Sequence, residues 1–374
     1  MDVYERLADY LDTLPAGFPR TEGGVEMRII RRLFTPEEAE LAVHLTLLNE
    51  EPRVVARRAG QPVGVVAPML EEMAQKGLLF SAHRPGRPPT YAIQQFAIGF
   101  YEGQVNRLTP ELVRDFEEYV KVYITPEQWG KAPQLRTIPV GASLESEAAV
   151  MPYENAEALV RGERSITITN CICRQEKRML GEGCDKPLES CMTFGSAARY
   201  FVQIGRGRAI TQDEAQAILK RADEAGLVLQ PSNAKDIKVI CMCCGCCCGV
   251  LTNLKRHPKP ATIVASPFVA ALDASLCTGC GVCETRCQMD AVRMDGGDTA
   301  ALDVDRCIGC GLCVTTCPSG ALTLSRKPDS EQPVVPKNIT ATYIQVGRAR
   351  GKMGVGDLAG LVVKSQVDRL LSGK

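Results

Sequence analysis

Six cysteines fall within eight residues of the stretch CMCCGCCCG: Cys241, Cys243, Cys244, Cys246, Cys247 and Cys248. Near-adjacent cysteines rarely reach bridging geometry, so thiols at this density point to metal chemistry. Four more, Cys171, Cys173, Cys184 and Cys191, lie upstream in TNCICRQEKRMLGEGCDKPLESCMTFG. The remaining eight form a repeat. Residues 271–292, ALDASLCTGCGVCETRCQMDAV, recur at 301–322 as ALDVDRCIGCGLCVTTCPSGAL. Cys277, Cys280, Cys283 and Cys287 match Cys307, Cys310, Cys313 and Cys317, and Gly279 and Gly281 match Gly309 and Gly311. Three thiolates at three-residue intervals can wrap three irons of one cube. The intervening glycines let the backbone turn tightly and bring N–H groups toward sulfur. Zinc fits less well, because its ligands come as two C-x2-4-C pairs split by a longer loop.

The C-x2-C-x2-C-x3-C run, twice over, closely resembles the two-cluster bacterial ferredoxin module. That resemblance covers about 270–325 and implies two 4Fe-4S clusters with crossed ligands. One would use Cys277, Cys280, Cys283 and Cys317; the other would use Cys307, Cys310, Cys313 and Cys287. Pro318 follows the last cysteine as the pattern expects. Gln288 stands where the first half would carry proline.

The ten middle cysteines resemble the cysteine-rich region of ferredoxin-like proteins of anaerobes, a resemblance that assigns no ligand; anaerobic metabolism is expected from the cluster content alone. Their chemistry is read from the residues. In an extended chain successive side chains face opposite ways, so Cys246, Cys247 and Cys248 are not expected to serve one metal. Thiolate-only sites suit iron–sulfur clusters and zinc alike. One or two further iron–sulfur clusters are the first expectation. Zinc is the second, and a thiol/disulfide or open catalytic site, with a dithiol such as Cys243/Cys246, is the third. Arg174 and Arg178 either stabilise thiolates or are solvated surface charges.

The elements that must position these residues follow from caps and periodicity. SITIT (165–169) is β-branched and strand-like, ending as the first thiols begin. TQDEAQAILKRADEAGLV reads as a helix capped by Thr211, with Glu214 as capping-box partner and Gly226 at its stop. In the N-terminal part, Thr35, Pro36 and Glu38 form a cap and box. A short helix, a longer helix ending at a glycine, and a hairpin with a basic tip follow over 52–95. That order resembles a winged helix-turn-helix. Basic residues there (Arg53, Arg57, Arg58, Lys76, Arg84, Arg87) outnumber Glu71 and Glu72, which would suit DNA phosphates. The start of the would-be recognition helix, PVGVVAPML, offers no group to read base edges. Protein docking is therefore expected ahead of DNA binding. The tail carries a helix-like apolar face through Leu358, Leu361, Val362, Val367, Leu370 and Leu371.

The balance of 44 basic and 44 acidic residues gives no global field for nucleic acid or anionic membrane. The start, MDVYERLADYLDTL, reads as an acidic amphipathic helix and not an export signal. No 18-residue apolar run is present. The cysteines are thus expected in a reducing, cytoplasmic setting.

The expected fold is α+β and multidomain. It comprises a winged-helix-like domain (1–105), a helical connector (106–164), a Cys-rich α/β metal-binding domain (165–257), a dicluster ferredoxin module (265–328), and a linker with a C-terminal helix (329–374). The expected function is electron transfer between the clusters and a partner oxidoreductase, with no turnover by this chain alone. A redox- or iron-sensing transcription regulator is the alternative.

Overall fold

A computed structural model describes residues 2–143, 150–294, 296 and 298–373, without the side chains of Val355 and Leu358. The chain divides into two compact units: 1–123, 199–208 and 343–374 form one, and 124–198 and 209–342 form the other.

The first unit is mainly helical. Helices Val3–Thr13, Val25–Leu33, Pro36–Ala42, Pro52–Ala59, Val63–Gln75 and Pro110–Tyr123 surround an aromatic core. Phe96 lies at its centre, with the rings of Phe18, Phe100, Phe116, Tyr119 and Tyr123 within 5.9 Å of it. Each such pair adds roughly 0.5–1.5 kcal/mol beyond its buried area. The Thr35–Glu38 capping box is present, with both reciprocal bonds made. After the helix Val63–Gln75, strands Leu79–Arg84 and Arg87–Ile93 pair antiparallel across the Pro85-Gly86 tip. Four of the six basic residues counted in this region make ion pairs, while Arg84 and Arg87 at the hairpin tip are exposed. Arg57 and Arg58 pair with Asp368, Arg58 also with Glu50, Arg53 with Glu51, and Lys76 with Glu38.

Asp368 belongs to the C-terminal helix Val355–Leu371, which turns a polar face inward. Ser365 donates to Glu50, while Val363, Val367, Leu370 and Leu371 are exposed. Val362, Val367, Leu370 and Leu371, which the sequence pattern reads as a docking face, stay outward. A buried carboxylate–guanidinium set supplies better partners for Ser365 and Asp368 than solvent-facing leucines would.

The second unit carries the cysteines. Five strands run in the order Gly207–Ile210, Ile166–Asn170, Glu189–Phe194, Val239–Cys243, Val228–Pro231. The last four pair antiparallel, and the register sets Cys191 opposite Cys241. Thr211 caps the helix Gln212–Glu224, which packs on this sheet. Its Asp223 accepts from Arg286 at 3.0 Å and from Thr315 at 3.1 Å, fixing the helix to the repeat region. In that region strands Phe268–Leu272 and Leu322–Arg326 form one antiparallel pair, and Val292–Met294 and Ala300–Leu302 another. Among the described residues no helix is long and apolar enough to cross a membrane.

Candidate metal centres

The repeat brings its eight cysteines onto two cavities. Cys277, Cys280, Cys283 and Cys317 line one, with Leu272, Val282, Met294 and Leu322. Cys287, Cys307, Cys310 and Cys313 line the other, with Ala270, Val292, Ile308 and Leu312. Counting their open mouths, they enclose ≈ 330 and ≈ 370 Å³. Each draws three cysteines from one half of the repeat and the fourth from the other. Backbone amides aim at the sulfurs: Ala300 N–H donates to Cys277 Sγ at 3.4 Å, Ala291 to Cys287 at 3.1 Å and Ala270 to Cys307 at 3.4 Å. Such bonds favour thiolate over thiol. The turn at Gly309 has φ +65°, and a Cβ there would overlap the Phe268 carbonyl. Only glycine lets the chain pass that close.

The two cavities differ in access. Cys280 is exposed, whereas Cys307 and Cys313 are buried. Burial raises the Cys307 and Cys310 thiols, and burial with the neighbouring Cys307 pushes Cys313 up to about 12. At Cys317 burial is outweighed by Ser319 and nearby amides, and the thiol falls below its usual range. Four thiols framing an apolar cavity suit a cubane, whose irons they would ligate as thiolates.

The middle cysteines fall into two groups. Cys184, Cys244, Cys246 and Cys247 bring four sulfurs within 4.8 Å of one another. Cys171, Cys173, Cys191, Cys241, Cys243 and Cys248 form the other. Each of these thiols acts electrostatically on the next, from Cys171 to Cys173, on to Cys248, Cys243 and Cys241, and finally to Cys191. CMCCGCCCG is thus shared, three thiols to each group. The strand ends at Cys243 and residues 245–247 form a turn. The turn brings the adjacent Cys246 and Cys247 together, at 3.7 Å, where an extended chain would have parted them. Cys248, the N-cap of the next helix, joins the other group. A Cys243/Cys246 dithiol does not form, because its members lie in different groups.

Arg174 stands between the groups and is fully buried. It donates to the carbonyls of Pro187 and Met242 and to Ser190 Oγ, and its charge acts on Cys244. A buried guanidinium requires negative charge close by, and the neighbouring thiol it drives toward thiolate is Cys244. Burial opposes ionisation of Cys244, but Arg174 overrides it and lowers the thiol to about 7. In the six-thiol group the hydrogen bond to Cys173 and burial raise Cys171. Arg178 holds the carbonyls of Cys184 and Lys186 and so shapes the loop that presents Cys184.

Sequence reasoning noted Gln288 as a departure and missed its contact. Its Oε1 accepts from Gly245 N–H at 2.8 Å, and a Cβ on Gly245 would overlap the Gln288 carbonyl. Gln288 also lines the Cys307 cavity. The Cys-rich strip therefore abuts that cavity at the position where a standard repeat carries proline.

Comparison with known proteins agrees on this region. Residues 271–330 match the 4Fe-4S dicluster domain family. No curated protein and no solved structure matches the chain. The chain therefore contains a 4Fe-4S dicluster domain, whose general role is iron–sulfur electron transfer.

Proposed function

We propose that the protein exchanges single electrons with a partner oxidoreductase, using two 4Fe-4S clusters in the dicluster domain and a third iron–sulfur cluster at the six-thiol group. The carrying observation is the pair of four-cysteine cavities, each framed by thiols from both halves of the repeat. Cys277, Cys280, Cys283 and Cys317 would hold one cluster, and Cys287, Cys307, Cys310 and Cys313 the other. Bound there, such clusters supply one-electron exchange at potentials set by amide bonds to sulfur and by exposure. The chain's part is to fix the thiolates, donate N–H groups to them and exclude water with Leu272, Val292 and Leu312.

The difference in access gives the site a direction. The Cys277 set, with exposed Cys280, is the side that meets a partner. The Cys307 set is deeper and borders the Cys-rich strip through Gln288 and Gly245. Cys171, Cys173, Cys191, Cys241, Cys243 and Cys248 form a contiguous thiol group that, among the described residues, is not gathered within 4.8 Å as the Cys184 group is, which supports a third cluster there.

The winged-helix-like region 1–105 serves docking on this reading. Val63 and Val65 are exposed at the start of the helix that would enter a DNA groove, and most nearby arginines are tied up in ion pairs. Apolar tips and neutralised charge support a protein partner over phosphate. The exposed leucines of the C-terminal helix extend the apolar surface of that unit.

Anaerobic titration with dithionite, followed by visible absorbance and electron paramagnetic resonance, tests the reading. Uptake of about three electrons per chain, one per cluster, with full reversal on reoxidation, is expected. Assembled clusters that accept no electrons reversibly would overturn it.

A further inference from the structure

The four-thiol group is built on a different scale from the cavities of the dicluster domain. Cys184 Sγ lies 3.8 Å from Cys244 Sγ and 3.6 Å from Cys247 Sγ, and Cys246 Sγ lies 3.7 Å from Cys247 Sγ. A zinc ion with four bonds of about 2.3 Å holds its sulfurs at tetrahedron edges of about 3.8 Å. A cubane carries each thiolate outward on its own iron and spaces them about 6 Å apart. Disulfides would need about 2.05 Å. These three separations match the single ion and neither alternative, and all four sulfurs lie within 4.8 Å of one another.

We propose that Cys184, Cys244, Cys246 and Cys247 form a closed mononuclear site that binds one zinc ion through four thiolates. The ligands arrive from two places. Cys184 comes from the loop shaped by Arg178, and the other three come from the turn after the strand Val239–Cys243. One ion would staple that loop to the turn. Four thiolates around a divalent cation leave a net charge of about −2, and the charge of the buried Arg174, which acts on Cys244, offsets half of it. Four soft ligands in a tetrahedron suit zinc, which binds more tightly than ferrous iron at such sites. With no open position, the site is structural. It is independent of the electron-transfer reading, since zinc exchanges no electrons.

The test uses the full chain purified without oxygen. Zinc, iron and sulfide are measured in the parent and in Cys184→Ser/Cys246→Ser. One zinc per chain should be lost, with iron and sulfide unchanged. Loss of iron together with sulfide would overturn the proposal in favour of a cluster. Loss of one iron without sulfide would overturn the choice of zinc, and a parent without zinc would overturn the site. If the variant does not fold, zinc-edge X-ray absorption on the parent decides. A shell of four sulfurs at about 2.3 Å is expected, and a shell containing nitrogen or oxygen refutes the assignment.

Discussion

The dicluster cysteines and the four around Cys247 are the same ligand held at two spacings. In the dicluster domain, thiols stand around open apolar cavities, reached by backbone amides and turned by glycines. At the Cys184 group they press against one another beside a buried arginine. The difference teaches that thiol count alone does not identify a metal site. The size of the space between the sulfurs decides whether a cluster or a single ion fits.

The largest effect expected from a single change is at Arg174. Arg174→Met leaves thiolates and three protein acceptors without their buried donor, a loss of about 3–5 kcal/mol. Denaturant midpoints should fall accordingly, and both middle groups should lose metal. About 8 iron should remain in the dicluster domain; loss of that iron too would break the distinction between the regions.

Gly309→Ala acts on the other side of the comparison. Positive φ at a residue with a Cβ costs on the order of 1–3 kcal/mol, and overlap with the Phe268 carbonyl adds to it. About four iron and four sulfide should be lost from the Cys307 cavity, with zinc retained.

Gln288→Leu tests the seam between the regions. It removes the acceptor for Gly245 N–H and should cost about 1 kcal/mol, read as a lower unfolding midpoint with every metal retained. Loss of a cluster would mean that Gln288 supports the Cys307 cavity itself.

The smallest effect is a pH slope in the chelated, reduced protein. The hydrogen bond with Cys191 and burial hold Cys241 well above an ordinary thiol, even though Cys243 acts the other way. Its contribution to stability is fully present below about pH 8.5 and lost as pH rises through the folded-state value. Cys244, lowered to about 7, does the reverse. Its contribution is present above about pH 8.5 and is lost as pH falls through 7. Unfolding midpoints across that range should show a shallower alkaline slope in Cys241→Ser, since Cys171, Cys173, Cys243 and Cys248 are raised as well, and a shallower neutral slope in Cys244→Ser.

The sequence disclosed what is local and hid what depends on register. The repeat was readable because ligand spacing and turn glycines lie within a few residues of each other. The Thr35–Glu38 box was readable for the same reason. The division of CMCCGCCCG was not. It depends on Cys191 meeting Cys241 across two strands, on the loop carrying Cys184 folding back, and on a turn at Gly245 that replaces an extended strip. Gly245 was the one local signal for that turn. Gln288 showed as an oddity, but its partner lies 43 positions away. The inward polar face of the C-terminal helix was masked because Glu50, Arg57 and Arg58 are remote in sequence.

Iron, acid-labile sulfide and zinc per chain, on protein purified without oxygen, test the central claim most directly. Three clusters and one staple predict about 12 iron and 12 sulfide with one zinc. About 16 iron with no zinc would contradict it, because the tightly packed thiols would then hold a cluster.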